Sequence, residues 1–281
     1  MRLLLFLCLA STCTGALADT EEWLFENWQG PPVPVRMYVP EEASTSARVV
    51  IVMHGASRDA TRYFDDWQAL GEQHNLIVVV PEFSEKQFRR SARYNLGFVF
   101  DPNSGKRRDE SEWTFSAIEP LFDDVVQRIG GQQQRYSIYG HSAGSQFVHR
   151  FMYFKPDVRV DNFLAANAGW YTVPVYDFEF PYGLQGSGIT EEDLPGLFAK
   201  PLTLLLGRED DDPNSPKLRK TKEAQSQGPN RLARGLTMYR VAKARAEELG
   251  VAFNWKLIVV NGADHDNAKM APVAAALIAS P

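Results

Sequence analysis

The chain has almost no cysteine. It carries Cys8 and Cys13, both close to the N-terminus, and none in the 268 residues that follow, so the bulk of the protein has no means of forming a disulfide and must rely on an ordinary core. Beyond the N-terminus no segment approaches the eighteen consecutive apolar residues that a membrane-crossing helix needs. Nowhere is there an H-E-x-x-H or another paired-ligand spacing, which disfavours hydrolysis by a bound metal. An excess of positive charge is missing too: 30 Lys and Arg face 35 Asp and Glu, for a net charge of −5. Nucleic acid and anionic membrane surfaces, which call for clustered cations, are therefore not the expected partners. Internal repeats and low-complexity linkers are absent as well, and one domain is the economical reading.

What is present is enough for a large core, with 44% hydrophobic and 12% aromatic residues in 281. The opening "MRLLLFLCLASTCTGALADTEE" has a single charge at Arg2, an apolar run from Leu3 to Ala10, and small residues at Ala16 and Ala18. That pattern is expected of a secretory signal peptide cleaved after Ala18, which places the mature protein outside the cell or in a periplasm. Lipidation of Cys13 is the competing reading, but Ser11-Thr12 is a poor match for the small residues such a site wants. Cleavage would remove both cysteines and Arg2, leaving a single domain over 19–281 with a net charge of −6.

Past the leader, apolar strands alternate with amphipathic helices, as in an α/β protein whose parallel sheet is covered on both faces. Strands are expected at 34–40, which would form an edge, and at 48–55, 76–83, 135–140, 162–171, 201–207 and 253–262. Helices are expected at 61–75, 113–129, 231–249 and at the C-terminus, with a further helix after residue 142. The glycine-rich and acidic connection up to Lys200 is a candidate cap over a pocket.

Chemistry enters at "RYSIYGHSAGSQFVHRF" (135–151), where a β-branched and aromatic stretch runs through Gly140-His141-Ser142-Ala143-Gly144 into a helix. A bare G-x-S-x-G occurs by chance in roughly one chain in ten of this length. The informative reading is a nucleophile elbow, a strand-to-helix turn so sharp that its serine is strained and exposed. Side chains two residues before and after that serine would clash, so glycine is required at both places.

A serine hydroxyl needs a base and an acid to orient that base. Of His54, His74, His141, His149 and His265, the last two alone follow Ser142. His149 lies two turns along the helix and points away, a packing or surface residue. His265 follows the final strand, where a loop-borne base belongs. For the acid, "PLTLLLG" is followed by Glu209, Asp210, Asp211 and Asp212; Asp210 is the first choice and Asp212 the second. An oxyanion hole would come from the backbone N–H of Ala143 and of Ala56, in "HGAS" after the buried strand at 48–55. His54 would organise that loop. Trp170 and Tyr171 are candidates to line an acyl or alcohol pocket, against an equal case for ordinary aromatic core.

From "RVVIVMHG" to "GADHD" the chain resembles the α/β-hydrolase superfamily of serine esterases. "HGAS", "GHSAGS", "NAGWY" and "GREDDDP" look most like secreted bacterial esterases related to polyhydroxyalkanoate depolymerases and feruloyl esterases. The resemblance implies a central, mostly parallel sheet of about eight strands with helices on both faces. It also implies no metal or other cofactor, and hydrolysis of a small-molecule or polymeric carboxylic ester through an acyl-enzyme. Polyester depolymerases often carry disulfides or a polymer-binding domain, and this chain has neither. A peptidase of the same fold and a non-catalytic secreted binding protein on a hydrolase scaffold are the alternatives; the binding protein would be expected to lack a triad member, whereas all three are on offer here.

Overall fold

The computed structural model describes residues 19 to 280; the expected signal peptide, with Cys8 and Cys13, lies outside them. Eight strands form one sheet: β1 (Asp19–Phe25), β2 (Val33–Val39), β3 (Arg48–Met53), β4 (Leu76–Pro81), β5 (Tyr136–His141), β6 (Val160–Ala166), β7 (Leu202–Gly207) and β8 (Lys256–Val260). Their spatial order is β1-β2-β4-β3-β5-β6-β7-β8. β2 pairs antiparallel with β1 and β4, and every other pairing is parallel. The sheet is thus the mostly parallel one expected.

Parallel strands buried on both faces must be apolar at every position, and β3 shows how that apolar run is divided. Val49, Ile51 and Met53 enter one core, and Val50 and Val52 enter the other. The first core is closed by α2 (Ile118–Arg128), α3 (Ala143–Phe154) and α6 (Arg231–Leu249) through residues such as Leu121, Phe147 and Met238. The second is closed by α1 (Ala60–His74) and α7 (Asn267–Ala279), where Trp67 packs with Met270 and Ala274. Helix termini are fixed by side chains: Asp59 caps α1, Asn230 caps α6 and Asp266 caps α7, each accepting a backbone N–H of the first turn. Two short helices, α4 (Leu194–Phe198) and α5 (Lys222–Ser226), lie in the longer connections.

Three expectations need correction. The expected edge strand at 34–40 is the second strand, because the acidic segment after the leader forms β1 and covers it. β1 is held from the helix side by Trp23, whose indole N–H donates to Asp124 and whose ring lies under the Arg128 guanidinium. The strand expected over 162–171 stops at Ala166, since Asn167 takes a left-handed conformation, φ 51°. The helix expected from Trp113 begins as a 3₁₀ turn over Thr114–Ala117, because the Thr114 backbone N–H and hydroxyl donate to Gly97 and Arg93 carbonyls of the preceding loop.

The fold also buries three imidazoles. His54, His141 and His149 are at most 3% exposed. Burial pushes His54 down to about 4 and holds the other two well below the ordinary histidine value. In the unfolded chain each takes up a proton as the pH falls through about 6.5, so between that pH and about 4 the unfolded state binds more protons than the folded one. Stability is therefore full above about 6.5 and declines on acidification, by up to about 1.4 kcal/mol per pH unit for each imidazole. Urea unfolding at pH 7 and pH 5.5 should show a clear loss at the lower pH; equal midpoints would contradict it.

Candidate active site

The parallel strands end together. Met53 of β3 is level with Gly140 of β5, Gly140 with Ala165 of β6, and Gly207 of β7 with Val260 of β8. Their loops consequently meet at one sheet edge, the usual place for a site in an open α/β sheet.

At the centre stands Ser142, with φ 59° and ψ −112°, between the last residue of β5 and the first of α3. This is a conformation that costs about 1–3 kcal/mol for a non-glycine residue. The two glycines make it attainable. A Cβ on Gly140 would lie 2.2 Å from the Gly144 carbonyl oxygen, and one on Gly144 would lie 2.0 Å from that of Met53. Since both obstacles are backbone, a side chain at either position forces α3 off the strand ends. The turn is further pinned by the Ser142 N–H, which donates to Ala166 O at 2.9 Å.

The structure brings together the three side chains that the sequence suggested. The Ser142 hydroxyl lies 3.1 Å from His265 Nε2, and His265 Nδ1 lies 2.7 Å from Asp210 Oδ2. With Asp210 accepting from Nδ1–H, Nε2 is free to accept from the serine. Asp210 is 4% exposed. Asp212 does not reach the histidine; it is exposed, and its carboxylate accepts the Asn214 N–H in a local turn. The loops carrying acid and histidine are stitched to each other. Glu209 N–H donates to Ala263 O, and the buried Asn167 side chain accepts from Gly207 N–H at 2.7 Å while donating to Asp264 O at 2.9 Å.

Ala56 and Ala143 both line the cleft beside Ser142, which has a volume of about 370 Å³. Ala143 opens α3, so its N–H has no partner within the helix. His54 fastens the Ala56 loop from below: its Nδ1–H donates to Gly55 O, and its Nε2 accepts Phe83 N–H at 3.0 Å. His149 is spent in the core, with Nδ1–H donating to Ser145 O and Nε2 accepting Thr172 N–H. His141 packs against His265 with ring centroids 4.7 Å apart and planes tilted by 39°, and takes a hydrogen bond from the Tyr63 hydroxyl. Burial, then the neighbouring His265, keeps it uncharged.

Trp170 lines the cleft, with the Arg150 guanidinium 4.2 Å and that of Arg219 4.9 Å from its ring centroid. Tyr171, by contrast, is fully buried behind the cleft, its backbone clamped to Gln227; the left-handed break at Asn167 resets which side chains face outward. Nor does the 172–200 connection roof the cleft as a cap. The opposite wall is made by Pro216, Lys217 and Arg219, and Tyr182 of that connection serves to back Trp170. Sequence reasoning missed Gln146 and Asn95 at the cleft and Arg231 against Asp210. All depend on contacts between distant loops and carry no local signature. Among the described residues no three His, Cys, Asp or Glu side chains converge to hold a metal ion, and no helix is long and apolar enough to cross a membrane.

Comparison with known proteins places this geometry. Neither the protein-family models nor the curated proteins give a match. Among solved structures, a poly(aspartic acid) hydrolase from Sphingomonas sp. KT-1 is 41% identical with a TM-score of 0.90, over 93% of this chain and 98% of that one. A poly(3-hydroxybutyrate) depolymerase from Bordetella parapertussis is 33% identical with a TM-score of 0.85, over 93% of this chain and 89% of that one. A fluorophosphonate-binding serine hydrolase of Staphylococcus aureus shares the fold alone, at 13% identity and a TM-score of 0.61 over 94% and 99% of the two chains. With two relatives above 30% identity over nearly their whole length, the chain belongs to the α/β-hydrolase superfamily and is a serine hydrolase.

Proposed function

We propose that this serine hydrolase cleaves carboxylic esters through an acyl-enzyme on Ser142, with His265 as base and Asp210 as acid. The observation that carries the reading is the continuous line from Ser142 Oγ through His265 to Asp210, at 3.1 and 2.7 Å, on a serine already in the strained elbow conformation. In the cycle, Ser142 Oγ bonds to the ester carbonyl carbon as His265 Nε2 takes the hydroxyl proton. The resulting oxyanion is met by the Ala56 and Ala143 N–H groups, each such donor being worth about a hundred- to a thousandfold in rate. His265 then delivers its proton to the leaving alcohol as the C–O bond breaks. A water, deprotonated by the same nitrogen, releases the acid and restores the serine. Residues 1–18 act as the signal peptide in this reading, giving a secreted or periplasmic enzyme that starts at Asp19.

A second reading concerns the substrate's charge. Seven charged side chains line the cleft, and Glu85 alone is acidic. Arg58 is paired with Glu85, Arg62 with Asp266 and Arg231 with Asp210. Arg90, Lys217 and Arg219 have no carboxylate partner among the described residues. Three unneutralised cations on a net acidic protein favour a substrate that bears carboxylates. Poly(aspartic acid), the polymer named for the 41% identical relative, is of that kind; poly(3-hydroxybutyrate), named for the other, has an uncharged chain. Poly(aspartic acid) is linked by amides, which the same machinery can cleave, so this reading revives the peptidase alternative in the form of a polyanion hydrolase.

In protein beginning at Asp19, the residue N-terminal sequencing of exported enzyme should report, Ser142→Ala is expected to lower turnover of a p-nitrophenyl ester by about a millionfold, and His265→Ala nearly as much. Asp210→Asn is expected to cost about four orders of magnitude through the wrong histidine tautomer, with Asp212→Asn and His149→Ala retaining most turnover. A folded Ser142→Ala enzyme with normal rates would defeat the proposal.

For the charge reading, the Arg90→Ala/Lys217→Ala variant should lower kcat/KM for poly(aspartic acid) relative to a neutral ester by about tenfold in low salt. The effect should shrink at 0.5 M salt, because surface charges are then screened. An unchanged ratio in low salt would count against a polyanionic substrate.

A further inference from the structure

We propose that Arg231 is a positioning residue of the hydrolytic centre, holding the Asp210 carboxylate aimed at His265, and that its charge sets how far into acid the enzyme keeps working. The inference rests on the triad reading above. Arg231 is the first residue of α6, yet its side chain turns inward and is 4% exposed, against a carboxylate that is 3% exposed. Its Nη1 donates to Asp210 Oδ1 at 3.2 Å and to Ser215 Oγ at 2.7 Å, and its Nη2 donates to Pro216 O at 3.3 Å. The two carboxylate oxygens therefore have separate partners, with a permanent cation on Oδ1 and the histidine Nδ1 on Oδ2. The helix start grips the same residue through its backbone, Leu232 N–H donating to Asp210 O at 3.1 Å.

Taking a guanidinium and a carboxylate out of water is expensive, and a backbone N–H would hold Oδ1 more cheaply. What the cation adds is electrostatic. A lone buried carboxylate would draw positive charge onto the imidazole beside it, and Arg231 offsets that pull by placing its own charge against Oδ1.

The other groups facing His265 do not duplicate this. Ser142 is at Nε2. His141, from β5, and Tyr171, beyond β6, are kept uncharged by burial. On the histidine's own loop, Asp264 is paired with Lys269 of α7, and Asp266 with Arg62 of α1. Arg234, one turn further along α6, is committed to the Gly228, Gly169 and Arg219 carbonyls.

The test is the pH dependence of kcat/KM for a neutral p-nitrophenyl ester, with folding checked by circular dichroism. Arg231→Gln keeps an amide donor but removes the charge. Its acidic limb is expected to move to higher pH by roughly one unit, with about a tenfold lower rate on the plateau. Arg231→Lys keeps the charge and loses the fork, so its plateau should fall while its limb stays at the wild-type pH. In a cycle with Asp210→Asn, the double variant should be no slower than Asp210→Asn alone, because Arg231 acts through that carboxylate. A purely structural Arg231 would lower the melting temperature and the plateau with an unmoved limb, and that result overturns the proposal. So does additivity in the cycle, or an upward-moved limb in Arg231→Lys, which decides the matter if Arg231→Gln does not fold. Near-normal turnover in Asp210→Asn would remove the triad reading and this inference with it, whereas a severe loss there with an unmoved limb in Arg231→Gln removes the inference alone.

Discussion

The structure turns on a close approach of backbone to backbone. α3 begins so near the ends of β3 and β5 that Gly140 and Gly144 have no room for a Cβ, and Ser142 is forced to φ 59° between them. Strain of that kind persists only when the surroundings over-determine it. Here the determinants are the Ser142 N–H bond to Ala166 O and a helix buried along all twelve of its residues. The strain lifts the hydroxyl out of the sheet edge, leaving the first N–H of α3 unspent beside it. One turn thus presents a serine hydroxyl and, beside it, a backbone N–H with no helical partner.

The second requirement is that two loops from neighbouring strands keep a fixed separation. β7 and β8 are in register to their last residues, and beyond them Asn167 bridges Gly207 to Asp264 while Glu209 N–H reaches Ala263 O. Asp210 and His265 inherit their 2.7 Å contact from this lacing. Arg231 closes the arrangement from the helix side, so the acid is held by β7 through its backbone and by α6 through both backbone and carboxylate.

Sequence patterning revealed what depends on local chemistry. Ser142 was legible because the elbow demands glycine at fixed offsets, and His265 because it follows the last apolar strand. Asp210 was preferred to Asp212 because Asp212 precedes Pro213 and is biased to extended backbone; in the structure Asp212 is exposed and opens a turn. The loop-organising role of His54 followed from its position at a strand end, whereas the position of His149 along the helix left packing and surface placement open, and the structure buries it. What escaped depends on the facing of a chain after an irregular residue, or on partners far apart. Tyr171 was misjudged because the left-handed Asn167 ends the strand alternation. β1 was missed because an acidic segment gives little sign of pairing with an edge. Arg231 sits 21 residues from Asp210, at a helix start where a charged residue ordinarily faces water.

A protein of net acidic charge has thus assembled a cleft rimmed by cations around Ser142, with the neutral imidazole of His141 packed against His265. Reaction at Ser142 is the central claim. The most direct measurement is peptide mass mapping after treatment with a fluorophosphonate at neutral pH. A single phosphonyl adduct is expected, on Ser142, formed in native protein and absent after unfolding in urea. An adduct on another residue, or none on a folded enzyme that hydrolyses esters, would contradict it.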